Sequence, residues 1–213
     1  MITSEVILLL SGGIDSTTLL AELTAAGNRI HALSFDYGQR HSVELEYAAR
    51  NASSYEVEAH HILKVDFAPM AEGNLLTGNI TEASRTSANP NYVPGRNLLM
   101  LSHAAAYAEA KGISDIYFAA NADDGQLFPD CTPGFINCLN RLWQTCPNTA
   151  GIKLICPFVT MNKVKVIEKS YFLRVDLQQT MSCYKPNGKE ACGQCMSCSI
   201  REKAINDYKQ TAG

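Results

Sequence analysis

The chain has 213 residues, 46% of them hydrophobic and 18% charged, with a formal net charge of −3 at pH 7. That length suits one α/β domain with a small appendage, and the composition excludes a disordered chain or a wholly basic nucleic-acid coat. The N-terminal apolar run, residues 6–10, is far short of the roughly 20 residues that cross a bilayer, so no membrane segment and a cytoplasmic location are expected.

Apolar runs alternate with helix-like stretches, the pattern of an open, mostly parallel sheet with helices on both faces. Residues 5–10 read as a buried strand, 16–26 as a helix closed by Gly27, and 29–35 as a second strand. Residues 42–53 are helical and 57–65 strand-like. Residues 66–95 lack periodicity and read as a long loop of the kind that serves as a lid. An alanine-rich helix follows at 97–111, ended by Gly112, then a strand at 115–120 and a helix at 133–145. A strand at 153–156, a helix at 162–173 and a last helix from near Met196 to about Tyr208 complete the chain. The expected domain plan is an α/β unit over 1–180 and a C-terminal segment over 181–213 packed on it.

The first strand runs into Ser11-Gly12-Gly13-Ile14-Asp15-Ser16-Thr17-Thr18 and then a helix. Glycines let the backbone approach an anion, and the helix N-terminus points unpaired N–H groups and a positive dipole end at the same place. Ser11, Ser16 and Thr17 add hydroxyl donors, while Asp15 can hold a Mg²⁺ that bridges phosphate oxygens. The loop contains no lysine and no Gly-x-Gly-x-x-Gly pattern, so neither the common P-loop nor a dinucleotide fingerprint is present. The plain alternative is a glycine turn with an N-cap hydroxyl.

Of eight cysteines, four cluster near the C-terminus: Cys183, Cys192, Cys195 and Cys198. Two-residue gaps let neighbouring thiolates turn toward one ion, and four thiolates close the shell of a structural Zn²⁺. An iron–sulfur cluster could use the same ligands. The polar stretch 185–190 between them argues against buried core cysteines. Basic residues Lys185, Lys189, Arg201 and Lys203 flank the cluster and leave open a non-enzymatic zinc module that touches nucleic acid, at the cost of leaving the glycine loop unexplained.

Ser11-Gly12-Gly13-Ile14-Asp15-Ser16 resembles the loop of the N-type ATP pyrophosphatases, which cleave ATP between the α and β phosphates and pass AMP to a substrate oxygen. Further segments narrow the resemblance: residues 35–46 after the second strand, Val93-Pro94-Gly95-Arg96-Asn97, Pro129-Asp130-Cys131, and Ser182-Cys183-Tyr184 ahead of the last three cysteines. Together they are similar to the 7-cyano-7-deazaguanine synthase family of queuosine precursor biosynthesis, over nearly the whole chain. The resemblance implies an adenine nucleotide alpha-hydrolase-like, Rossmann-like fold with a small C-terminal zinc-binding helical appendage. It also implies a ligase, in which ATP adenylates 7-carboxy-7-deazaguanine, ammonia gives the amide, and a second ATP gives the nitrile. ATP, Mg²⁺ and Zn²⁺ are the implied cofactors and a homodimer the implied assembly.

On that basis Asp15, Arg96 and Lys163 are the expected catalytic groups. The expected nucleotide contacts are Leu10, Ser11, Gly12, Gly13, Ile14, Asp15, Ser16, Thr17, Thr18, Leu19, Leu20 and Asp36. Tyr37, Arg40, His41, Asp124 and Asp130 are the expected substrate contacts, and the four clustered cysteines the metal ligands. The remaining histidines, His31, His60, His61 and His103, read as structural or surface residues.

The segment 124–134 departs from the family pattern. Gln126-Leu127 stands for Ser-Gly, Phe128 for tyrosine, Thr132 for arginine, and Gly134 for an acidic residue. A rival expectation follows: the activated acid passes to a different amine, on a macromolecule such as a nucleic acid or protein. A thiolase-like relative would instead need a reactive Cys131.

Overall fold

A computed structural model of the chain describes residues 4–39, 41–67 and 91–212. Most of the long loop expected at 66–95 lies outside the described residues. Five strands, β1 (Glu5–Leu9), β2 (Arg29–Asp36), β3 (Ala59–Lys64), β4 (Asp115–Tyr117) and β5 (Lys153–Ile155), form one parallel sheet in the order β3-β2-β1-β4-β5. Helices α1 (Ile14–Ala25), α2 (Val43–Ser54), α3 (Arg96–Lys111), α4 (Ala122–Leu127), α5 (Pro133–Thr145), α6 (Lys163–Phe172) and α7 (Met196–Ala212) connect and cover it.

Alternation along the strands sorts the core onto two faces. Ile7, Leu9, Leu33 and Phe35 point to the side packed by Leu101 and Ala104 of α3 and by Leu139 and Trp143 of α5. Val6, Leu8, Leu10 and Ala32 point to the other side, against Leu19 and Leu20 of α1, Ala48 of α2 and Val166 of α6. Both faces are covered, which is why the central strands read as unbroken apolar runs. The C-terminal helix α7 docks on this layer through Ala204, which packs with Ile14 and Ile167.

Most element positions expected from the sequence are present, with shifted ends. Helix α1 starts at Ile14, two residues earlier than expected, because Gly13 in extended conformation takes the N-cap place. Helix α3 ends where Gly112 turns left-handed at φ 69°. β4 stops at Tyr117, and α7 continues past Tyr208 to Ala212. The short helix α4 was not foreseen: Asn121 caps it, accepting from the amides of Asp123 and Asp124, while the Asp124 side chain accepts from Asn121 N. No described helix is long and apolar enough to cross a membrane.

The chain leaves β1 to build β2 and β3 on one side, then returns to place β4 on the other. In such sheets a crevice opens at the carboxyl ends of the two strands where the order reverses. Here those are β1 and β4, and the glycine loop leaves the end of β1.

Candidate active site

Two adjoining cavities of about 190 and 250 Å³ occupy that crevice and share Ser11, Asp15, His41, Glu44, Asp124, Phe128 and Tyr184 in their linings. The loop forms the floor. Gly12, at φ 79°, lies so close to α2 that a Cβ there would sit 2.6 Å from both Ala48 N and Glu44 O. The Ser16 hydroxyl ties the loop together, accepting from Ser11 N at 3.2 Å and donating to Gly13 O at 3.2 Å. Among the described residues no side chain caps the N-terminus of α1. First-turn amides of a helix have no intrahelical acceptor, so this end could receive an anion, its partial positive charge turned to the cleft.

Asp15 and Lys163, far apart in sequence, meet there: Lys163 Nζ lies 2.5 Å from Asp15 Oδ2. The N-terminus of α6 is itself anchored, with Lys163 N donating to Asp123 Oδ2 at 2.8 Å. Asp15 Oδ1 and Asn121 Nδ2 are buried and have no hydrogen-bond partner among the described residues. Both residues line the smaller cavity, so a carboxylate oxygen and an amide donor are left for a ligand. Burial, the Asp15 charge and the nearby Asp123 push Asp124 up to about 6, although Lys163 opposes the rise.

The second cavity is more apolar, with Leu9, Leu33, Phe35, Met100 and Phe118 beside Arg96 and Tyr37. Arg96 Nη1 donates to Tyr37 Oη at 3.3 Å and stacks over its ring at 5.7 Å. Burial pushes the Tyr37 and Tyr184 hydroxyls up to about 12, with Arg96 opposing in each case, so both remain protonated donors. Glu44 is pushed up to about 7, mainly by burial, while His41 falls to about 4 through burial and the Arg96 charge. His41 Nε2 and Glu44 Oε2 are 3.3 Å apart. With those shifts the contact at neutral pH is a hydrogen bond to a neutral imidazole and not an ion pair.

Residues after 180 close one side of the cleft. Met181 N donates to Gly12 O at 2.9 Å, and Asn51 of α2 bridges Thr17 and Gln179. Arg201 of α7 donates to Thr180 O at 3.1 Å, to Thr180 Oγ1 at 2.9 Å and to Leu177 O at 2.6 Å. The sulfurs of Cys183, Cys192, Cys195 and Cys198 all lie within 4.8 Å of one another, with 3.5 Å between Cys195 and Cys198 and 4.0 Å between Cys195 and Cys183. Thiolates about 2.3 Å from a tetrahedral zinc stand about 3.8 Å apart, so the set fits Zn²⁺. Amides of Lys185, Cys192, Tyr184 and Gln194 point at these sulfurs, the arrangement that stabilises thiolate charge.

The expected nucleotide stretch divides by direction. Leu10, Ser11, Gly13, Asp15 and Ser16 line the cleft. Gly12 shapes it from beneath. Ile14, Leu19 and Leu20 are core residues, and the Thr17 and Thr18 hydroxyls are spent on Asn51 and on Ile14 O. The Asp36 carboxylate accepts from Gly38 N at 3.3 Å and lies outside the lining. Tyr37, His41 and Asp124 line the cleft, and Arg96 lines the larger cavity beside them. Buried Asp130 is outside the lining, its charge turned toward Arg96. Arg40 lies outside the described residues.

Glu44 and Tyr184 fall within the segments that carry the resemblance but were given no role from the sequence. Glu44 follows two residues after the turn it serves and looks like any acidic residue opening a helix; Tyr184 adjoins a metal ligand that masked it. Burial raises the Cys131 thiol, the opposite of a reactive cysteine. Of the four basic residues around the cysteines, Arg201 is engaged internally and Lys189 pairs with Glu46 at 3.0 Å. Of the histidines read as structural, His31 meets Tyr107 Oη at 3.0 Å and His60 meets Ser34 Oγ at 2.8 Å.

A family model described as queuosine biosynthesis protein QueC matches residues 5–209. A 7-cyano-7-deazaguanine synthase of Parasynechococcus marenigrum is 38% identical over 208 residues, covering 93% of this chain and 91% of that protein. One from Oceanobacillus iheyensis is 37% identical over 216 residues, covering 99% and 97%. Among solved structures, an NMN synthetase from Francisella tularensis superposes with a TM-score of 0.53 at 15% identity, over 98% of this chain and 84% of that one, a likeness of fold.

Proposed function

The chain belongs to the queuosine biosynthesis protein QueC family, and from that premise we propose that it is an AMP-forming, ATP-dependent carbon–nitrogen ligase. Its substrates are 7-carboxy-7-deazaguanine and ammonia. The acid is adenylated, ammonia displaces AMP to give the amide, and a second ATP carries the amide to 7-cyano-7-deazaguanine with release of AMP and pyrophosphate.

The observation that carries this reading is the uncapped N-terminus of α1 beside the Asp15–Lys163 pair, opening into a cleft with apolar walls. A carboxylate is a poor electrophile until its oxygen becomes a good leaving group, and activation at the α-phosphorus needs the pyrophosphate held and neutralised. The amides of the loop and Lys163 serve that end. Asp15, whose Oδ1 is buried without a partner among the described residues, and the nearby Asp124 would hold Mg²⁺, which would supply charge neutralisation there. Arg96, in the apolar cavity, offers a bidentate fork to the acid or the α-phosphate. Zn²⁺ on the four cysteines is structural in this reading, since four protein ligands close its shell. Assembly as a cytoplasmic homodimer belongs to the same proposal.

A second reading keeps the adenylation but changes the acceptor to another amine. Phe128, which stands where the family pattern has tyrosine, is buried in the cleft lining, and Leu127 lies exposed at its mouth. The lost hydroxyl therefore falls on the cleft. Thr132, by contrast, caps α5 through Phe135 N at 3.2 Å and bears on local stability. Mass spectrometry of the products from ATP, Mg²⁺, 7-carboxy-7-deazaguanine and ammonium separates the two. A nitrile with two AMP per turnover is the expected result; AMP without nitrile favours the second acceptor, and ADP in place of AMP sinks both.

A further inference from the structure

Four carboxyl groups face the cleft, and three of them are tied to Lys163 or to a main-chain amide. Asp15 is paired with Lys163, Asp123 accepts from Lys163 N, and Asp124 accepts from Asn121 N. Glu44 differs. It stands in the first turn of α2, directly under Gly12, so its main chain keeps a set position relative to the anion seat. It lines both cavities, which places it where the nucleotide and the second substrate meet. Its oxygens contact neutral groups: Gln39 Nε2 donates to Oε1 at 3.1 Å, and His41 Nε2 lies 3.3 Å from Oε2. Gln39 is in turn locked, accepting from Tyr37 N at 2.8 Å and donating to Phe35 O at 3.0 Å. The carboxylate is therefore held in place without being neutralised by a paired cation among the described residues.

We propose that the Glu44 carboxylate is the base that takes the nitrogen-bound protons when the activated amide collapses to the nitrile. The inference rests on the function proposed above. The balance is as follows. The amide oxygen bonds to the α-phosphorus of ATP as pyrophosphate leaves, and loss of one N–H proton gives a neutral imidate. The carbon–oxygen bond then breaks, with AMP keeping its electron pair. The remaining N–H electrons become the third carbon–nitrogen bond, and the second proton goes to Glu44. Each proton returns to water through the open end of the cleft before the next is taken.

An effective base titrates near the working pH, and burial brings Glu44 to about 7. The groups facing it are His41 and Gln39 from its own segment, Arg96 from α3, Tyr37 after β2, and Asp15, Asp124 and Tyr184 across the cavities. His41 and the two tyrosines stay neutral over pH 6 to 9 by their shifts to about 4 and about 12.

The test uses the full zinc-loaded chain with Glu44→Gln, which keeps the shape and removes the basicity. Two rates are measured: pyrophosphate exchange driven by the carboxylic acid, and nitrile formed from added amide and ATP. The variant is expected to lose about 10²- to 10⁴-fold in nitrile formation, the usual worth of a positioned base, with a fall in exchange of no more than about tenfold. The wild-type nitrile rate should rise with pH through about 7, and the variant should lack that limb. Glu44→Asp, which keeps a carboxylate, should recover part of the nitrile rate. Unchanged nitrile formation, or equal loss in both reactions at an unchanged melting temperature, overturns the proposal. Should wild-type protein show no acid-dependent exchange at all, the functional reading fails instead.

Discussion

The floor of the cleft, residues 10–18, is shaped by main chain: a left-handed glycine against α2, an uncapped helix end, and a strand set by its neighbours. The wall, residues 181–201, has almost no regular structure before α7 and is shaped by four thiols and one guanidinium. One carries its geometry in the sheet, whereas the other needs a ligand set to define it. Among the described residues the main chains of the two are joined by the hydrogen bond from Met181 N to Gly12 O. Floor and wall should therefore fail separately, and each failure has its own readout.

The largest effect should come from the wall. Stripping zinc with a chelator, or Cys198→Ala, removes the link that brings residues 183 and 198 together, since structural zinc sites form with folding. AMP formation should fall by more than about 100-fold, while the sheet keeps its far-ultraviolet circular dichroism. Retained activity in metal-free protein would show that the wall stands without the ion.

Next comes the floor. Gly12→Ala places a Cβ 2.6 Å from two main-chain atoms and asks alanine to hold φ 79°. Left-handed backbone and overpacking together cost about 3 kcal/mol, or about 6–12 °C in Tm. Metal analysis should still find one zinc per chain. A full-strength Tm would mean the loop does not pack on α2 as described.

Lys163→Met takes the cation from the proposed anion seat and leaves the Asp15 charge facing Asp124. We expect kcat/KM for AMP formation to drop by about 10²-fold with only a small change in Tm, the signature of lost transition-state stabilisation. A drop under about threefold would remove Lys163 from the phosphate site.

The smallest effect is a pH dependence. Asp124 is raised from 3.8 to about 6 by burial and the Asp15 charge. The folded chain thus binds a proton that the unfolded chain has lost. The stability this group contributes is present below about pH 4 and is lost as pH rises through about 6. Asp124→Asn should therefore raise Tm by a few degrees at pH 8 and by less at pH 4. Equal gains at both would mean the carboxyl is well solvated.

Much of the floor was legible in the residues. Apolar runs marked the strands, and the glycine turn into a helix at 11–18 was readable because its parts are consecutive. The four cysteines were equally readable, since their spacing is local apart from one eight-residue gap. Helix α4 was missed because it has six residues and contains Gly125, and its capping pair, Asn121 and Asp124, resembles a polar turn. The inclusion of Thr17, Thr18, Leu19 and Leu20 in the nucleotide stretch treated a segment as a surface; a helix turns each successive side chain by about 100°, so only some can face one ligand.

What the sequence determined by itself was the list of local devices: the strands, the glycine loop, the helix that follows it and the metal-spaced cysteines. The tertiary structure alone decided which acids and bases face one another. Lys163 meets Asp15, and Glu44 faces Tyr184 across a shared cavity, through the return of the chain to the far side of β1. Their protonation follows from burial between elements distant in the chain, and no local period encodes that, because desolvation depends on what packs against a group and not on what precedes it.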